Sequence, residues 1–160
     1  MALTSPEKRA TSVPDWIRAW GPALLWAAMM FYASTDALSS QNTSRFLAPL
    51  LRWLNPAITQ HQLDIINFFV RKCAHFAEYF IFYLLVYRGV SHGRRGWRWS
   101  RGLYAWLLVA AYSVLDEFHQ SFVLSRTASP WDSLLDSTGA FAGMVGAFLL
   151  LRFFLPSRTD

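Results

Sequence analysis

The sequence predicts an all-α integral membrane bundle of four transmembrane helices. Three observations lead there: four long apolar stretches, basic residues gathered between them, and polar interruptions confined to one end of each stretch. With 160 residues, a single domain is expected.

Residues 1–15, with Pro6, Glu7, Lys8, Arg9 and Pro14, read as a cytoplasmic tail. The first span runs from about Trp16 to Leu38. Its charge-free core, Ala19 to Thr35, is 17 residues. That is longer than the apolar region of a signal peptide, and no clear A-x-A site follows, so the span is expected to remain uncleaved. Pro22 lies near its start, where a missing N–H costs least. The first outer connection opens on Ser39-Ser40-Gln41-Asn42. It continues through an amphipathic stretch from Arg45 to Leu54 containing Arg52 and Trp53. That stretch suits a short interfacial helix; a plain surface helix satisfies the same pattern.

The second span covers Leu63 to Val90, with its lipid-deep part from Phe76 to Tyr87. A basic loop with Arg94, Arg95, Arg98 and Arg101, interleaved with Trp97 and Trp99, precedes the third span, Gly102 to Leu124. A short connection holds Arg126 and Pro130. The fourth span runs from Trp131 to Leu155, and residues 156–160 form a second cytoplasmic tail. The membrane domain is therefore 16–155.

Composition supports this without deciding it. The chain is 54% hydrophobic and 17% aromatic, with eight Trp, but its mean hydropathy is only +0.22. No stretch reaches about 18 charge-free residues. The third is uninterrupted only from Gly102 to Leu115 and the fourth from Ser137 to Leu151. The lone Cys73 excludes an intramolecular disulfide and a multi-cysteine metal site, and is expected to be a small buried hydrophobe.

Orientation follows from charge. With both termini inside, the cytoplasmic side holds ten basic residues: Lys8, Arg9, Arg18, Arg88, Arg94, Arg95, Arg98, Arg101, Arg152 and Arg158. The outside holds five, Arg45, Arg52, Arg71, Lys72 and Arg126, of which Arg71 and Lys72 fall within the second span. Positive-inside bias favours this arrangement. The net charge of +5 is then a membrane-orienting charge, and the aromatic-rich basic loop is an anchor near anionic lipid, not a nucleic-acid surface.

The same orientation brings the polar ends together on the outer side. Asp36 closes the first span. Arg71, Lys72, His75 and Glu78 occupy the first half of the second. Asp116, Glu117, His119 and Gln120 end the third, and Asp132 and Asp136 begin the fourth. Arg71, His75 and Glu78 follow i, i+4, i+7 spacing on one face, extended by Phe68 and Phe82. Ser113, Asp116, Glu117 and Gln120 sit close together on the third helix. Asp132, Asp136, Gly139 and Gly143 share a face of the fourth, and the G-x-x-x-G, followed by Gly146, permits close helix approach.

Charges in apolar helices cost roughly 2.5–3.5 kcal/mol each at a span's centre, so these groups need partners or a function. An internal salt-bridge network is one outcome. The other is a site. His75 and Glu78 with Asp116 and Glu117 have the chemistry of a general acid–base set acting on a lipid headgroup, as in a hydrolase or transferase. Arg71, Lys72 and Arg126 have the chemistry to hold phosphate or carboxylate. One strong His without HExxH spacing makes zinc unconvincing, and no metal or cofactor is expected. His119 reads as a packed interfacial residue.

Three stretches together carry a family resemblance: Arg71-Lys72-x-x-His75-Phe76-x-Glu78-Tyr79, then Asp116-Glu117-x-x-Gln120-x-Phe122-x-x-x-Arg126, then Asp132 with Gly139 and Gly143. With Ser39-Ser40-Gln41, the chain resembles the VanZ-like family over about residues 20–150. Where that family's pattern has Asn, this chain has Asp136, which adds negative charge. The resemblance implies a four-helix protein of the bacterial cytoplasmic membrane, its namesake associated with low-level teicoplanin resistance. It adds Tyr79, Gln120, Asp132 and Asp136 to Arg71, Lys72 and Arg126 as candidate ligand-binding residues. The partners it implies are membrane lipid and a lipid-linked cell-wall precursor or glycopeptide.

Overall fold

A computed structural model describes residues 13–34, 40–92, 94, 96–122 and 129–154, without the side chains of 40–43, 46 and 154. Among them the chain is entirely helical. The elements are α1 (Asp15–Ala33), α2 (Ser40–Leu54), α3 (Gln60–Ser91), α4 (Trp99–Gln120) and α5 (Pro130–Leu149), which continues into a π-helical turn, Leu150–Phe154. Arg126 and Asp36, both expected near the polar end, lie outside the described residues.

Local chemistry sets the boundaries. α1 starts after Pro14 with Asp15 in its first turn, and Pro22 is accommodated inside it. α2 corresponds to the amphipathic stretch of the first connection and begins earlier than Arg45, at Ser40. α3 opens with a capping box. Gln62 N–H donates to Thr59 Oγ1 (3.3 Å) and Thr59 N–H donates to Gln62 Oε1 (2.9 Å). It ends where His92 takes a left-handed conformation, φ 38°. α5 begins with Pro130 in its first turn, where the absent N–H is no loss.

α3 is the central element, in contact with all the other helices. It runs antiparallel to α1, since Trp20 reaches Gly89 and Trp26 Nε1 donates to Glu78 O (3.2 Å). It runs antiparallel to α4, where Tyr83 OH donates to Gly102 O (3.2 Å) and Tyr79 meets Asp116. It runs parallel to α5, pairing Lys72 with Asp132 and His75 with Asp136. α2 folds back against the first turns of α3, where Asn67 Nδ2 donates to Ser44 Oγ (2.8 Å).

The G-x-x-x-G of α5 forms a close seam with α3. A Cβ on Gly139 would lie 2.5 Å from Phe76 O, and one on Gly143 2.8 Å from Phe80 O. Only glycine admits that approach. Gly146 is different: a Cβ there would meet side-chain atoms no closer than 3.5 Å, an ordinary contact. At the opposite end, aromatic rings pack the base. Trp97 stacks on Tyr87 (5.0 Å) and meets Phe148 edge-on (5.6 Å), and its ring fills the space beside Gly102.

The outer surface is unusually apolar. Leu24, Leu25 and Met29 of α1, Leu107, Val114, Leu115 and Phe118 of α4, and Leu134, Phe141 and Leu149 of α5 are exposed. Asp116, Glu117, Gln120 and Asp136 are buried. One helix among the described residues, Pro130–Phe153, is long and apolar enough to cross a membrane by length and composition, with a mean hydropathy of 1.7. Cys73 corrects an expectation: it is exposed, not buried. It lies on α3 next to the exposed Ala74, and the face of α3 that meets α5 carries Lys72, His75 and Phe76 instead.

Candidate functional site

Alternating helix direction gathers the end of α1, the first half of α3, the end of α4 and the start of α5 at one end of the bundle. Two layers are distinguishable there.

The inner layer centres on Asp116, 5% exposed. Ser34 Oγ donates to its Oδ1 (2.6 Å). Its Oδ2 accepts from Gln120 Nε2 (2.9 Å) and, at longer range, from Tyr79 OH (3.4 Å). Gln120 sits one helical turn after Asp116, so the two meet by helical periodicity. Gln120 Nε2 also lies 3.4 Å from Ser34 Oγ, which closes the group on itself. A carboxylate with three donors from α1, α3 and α4 is a knot that fixes three helices in register.

Glu117 is adjacent in sequence but does different work. Its Oε1 accepts the N–H of Ser129, the residue preceding α5. Ser129 makes no side-chain cap of its own. Glu117 thus supplies from α4 what the acidic residue of a capping box normally supplies from within the helix, and it places negative charge at a helix N-terminus.

The outer layer is the α3–α5 seam. Lys72 forms an ion pair with Asp132, with about 30% of each side chain exposed (28% and 30%), and its ammonium also lies 5.3 Å from the Phe68 ring centroid. One turn deeper, His75 Nδ1 lies 3.6 Å from Asp136 Oδ1, with Asp136 only 2% exposed. Gly139 follows about one turn later, where a Cβ would lie 2.5 Å from Phe76 O, so α3 and α5 approach closely beside the pair. Arg71 is half-buried at the rim and forms no ion pair among the described residues. Glu78 is half-buried beside the point where Trp26 of α1 meets its carbonyl.

The sequence-derived set therefore separates. Asp116, Gln120 and Tyr79 form one unit. Lys72 with Asp132 and His75 with Asp136 form another. Glu117 is committed to the start of α5. Arg71 lies at the edge, and Arg126 lies outside the described residues. His119 packs on Phe31 with ring centroids 4.4 Å apart. Phe68 is exposed while Phe82 is buried, so the stripe through Arg71, His75 and Glu78 does not present one uniform face. Sequence reasoning missed Ser34, a small polar residue at the end of α1, and Tyr112, whose OH donates to Ala27 O (2.7 Å). It also missed Ser133, bonded to Ser113 (2.7 Å). All three lie in apolar stretches, where a hydroxyl needs a partner; that requirement was the available clue. No group of three or more His, Cys, Asp or Glu among the described residues is placed to hold a metal ion.

These features define a class: an all-helical protein with apolar flanks and its buried charges collected at one end of the bundle. The chain belongs to the VanZ/LLP1 family, whose model matches residues 19–152, from the second turn of α1 to the end of α5. No curated protein and no solved structure matches the chain.

Proposed function

We propose that α1, α3, α4 and α5 each span the bacterial cytoplasmic membrane, with both termini inside. The polar end then lies at the outer leaflet and engages an anionic or peptide-bearing envelope component. A lipid-linked wall precursor or a teicoplanin-type glycopeptide has that chemistry, which ties the protein to glycopeptide susceptibility.

Membrane insertion is supported by the inversion of ordinary burial: leucines and phenylalanines outside, carboxylates inside. α4, at 22 residues, measures about 33 Å at 1.5 Å per residue, close to the hydrocarbon thickness of about 30 Å. α3, at 32 residues, measures about 48 Å, so its polar first turns, with Gln60, His61, Gln62 and Asp64, extend beyond the bilayer beside α2. The basic residues Arg88, Arg94, Arg98, Arg101 and Arg152 collect at the opposite end, as a cytoplasmic side requires.

The observation that carries the ligand reading is the half-exposed rim of Arg71, Lys72 and Asp132 above the closed Asp116 group. It offers cations and an anion at the height of lipid headgroups. For Asp116 itself a structural role is favoured, because its three donors leave it little capacity for a ligand.

Two experiments test this. In a Cys73→Ala background, Gln60→Cys is expected to react with a membrane-impermeant maleimide in intact cells, and Ser100→Cys only after permeabilisation. The reverse pattern overturns the orientation. Nanodisc-embedded protein is expected to bind lipid-linked wall precursor or teicoplanin, and Lys72→Gln with Arg71→Gln to weaken that binding. Absence of binding, together with unchanged glycopeptide susceptibility on deletion, sinks the functional assignment.

A further inference from the structure

The opposite end of the bundle carries a second arrangement, independent of the polar site. Arg94, Arg98, Ser100 and Arg101 line an open cleft of about 420 Å³ between the end of α3 and the start of α4. None of the three arginines forms an ion pair among the described residues. The sequence provides no local counter-charge, since no Asp or Glu occurs between Glu78 and Asp116.

The cleft is built, not a chance gathering of flexible side chains. Arg101 is half-buried, and its two terminal nitrogens donate to Arg94 O (3.3 Å) and Gly96 O (3.0 Å). Arg101 thereby holds the carbonyls of residues 94 and 96, while the Arg101 Nε–H has no acceptor among the described residues. α4 starts at this point, and Arg98, its N-cap, makes no side-chain cap bond. Three cations and a hydroxyl line the cleft, with no anion among the described lining residues. From Trp99 a strip of exposed apolar side chains, Leu103 and Leu107 at successive i+4 positions, leads away along the flank of α4.

We infer that this cleft binds the phosphate of an anionic phospholipid of the inner leaflet, with the acyl chains lying along Trp99, Leu103 and Leu107. The phosphate accepts charge-assisted hydrogen bonds from Arg94 and Arg98, and Arg101 positions the loop. This is a site of fixed stoichiometry, distinct from the diffuse attraction of any basic loop for an acidic membrane.

The test uses full-length protein in zwitterionic nanodiscs doped with phosphatidylglycerol, with bound lipid counted by native mass spectrometry. One retained phosphatidylglycerol is expected. The double variant Arg94→Gln, Arg98→Gln should lose about tenfold in affinity. The double variant Arg88→Gln, Arg152→Gln has the same net charge but alters exposed arginines that do not line the cleft, and should stay within about twofold. Equal losses in the two variants overturn the site in favour of a diffuse field. A second arm adds inorganic phosphate to the phosphatidylglycerol-doped nanodiscs; saturation by phosphate with no retained phosphatidylglycerol overturns the lipid assignment. Should the cleft double variant fail to fold, Arg98→Gln alone alters only an exposed side chain, and an unchanged lipid count there counts against the proposal.

Discussion

The Asp116 group and the α3–α5 seam lie at the same end of the bundle and are built on opposite plans. Asp116 is ringed by hydroxyl and amide donors from three helices, none of them charged. The seam joins two helices through the Lys72–Asp132 ion pair and the approach of His75 to Asp136, clamped by a glycine that admits no side chain. The first plan satisfies one buried carboxylate locally and consumes its hydrogen-bonding capacity. The second leaves charged groups partly open at the rim. One end of the bundle thus holds both a closed, uncharged set of donors around a carboxylate and a partly open ion pair.

The sharpest way to break that contrast is at the clamp. Gly139→Leu must displace Phe76 O, a backbone atom, and so part α3 from α5. A loss of about 3 kcal/mol or more is expected, read as a collapse of the melting temperature in detergent and poor accumulation. Gly146→Ala is the control and should leave melting nearly unchanged, because a Cβ there meets ordinary contacts. If both glycines tolerate substitution equally, the seam is not clamped as described.

Next in size is Asp116→Ala, which strands Ser34, Tyr79 and Gln120. About 1–3 kcal/mol of stability should be lost. Asp116→Asn should cost less, and a double-mutant cycle with Tyr79→Phe should show coupling between the two sites. Additive effects would mean that the group does not act as a unit.

Removing the cap that α4 lends to α5, by Glu117→Ala, should destabilise by about 1 kcal/mol. Ser129→Ala should have almost no effect, since the Ser129 side chain makes no cap bond and its N–H is retained. The smallest change in stability is expected at the rim. Lys72→Gln should alter melting by about 1 kcal/mol or less because the pair is roughly one-third exposed, while ligand binding falls in the nanodisc assay. A large stability loss at Lys72 with intact binding would reverse the roles assigned to the two layers.

Much of the scaffold was legible in the chain. Apolar periodicity and basic clusters place all four long helices, and the amphipathic stretch from Arg45 to Leu54 marks most of α2. Boundaries shifted: the capping box of Thr59 and Gln62 starts α3 ahead of Leu63, and α4 begins at Trp99, before Gly102, without a side-chain cap. The candidate site was legible as a list and not as a set of contacts. Helical spacing joins Asp116 to Gln120 within one helix, yet nothing in spacing pairs His75 with Asp136 or sends Glu117 to Ser129. Ser34 carries no charge to attract notice, and Cys73, expected inside, faces outward.

By itself, then, the sequence determined the helices, their alternating direction and the gathering of polar residues at one end, because periodicity and charge placement are properties of the chain read along its length. Only the tertiary structure decided which carboxylate each cation or donor meets. That depends on the rotation of each helix about its axis and on how closely its neighbour can approach. Here the approach is set by two glycines of α5, 2.5 and 2.8 Å being all the room that a Cβ would have.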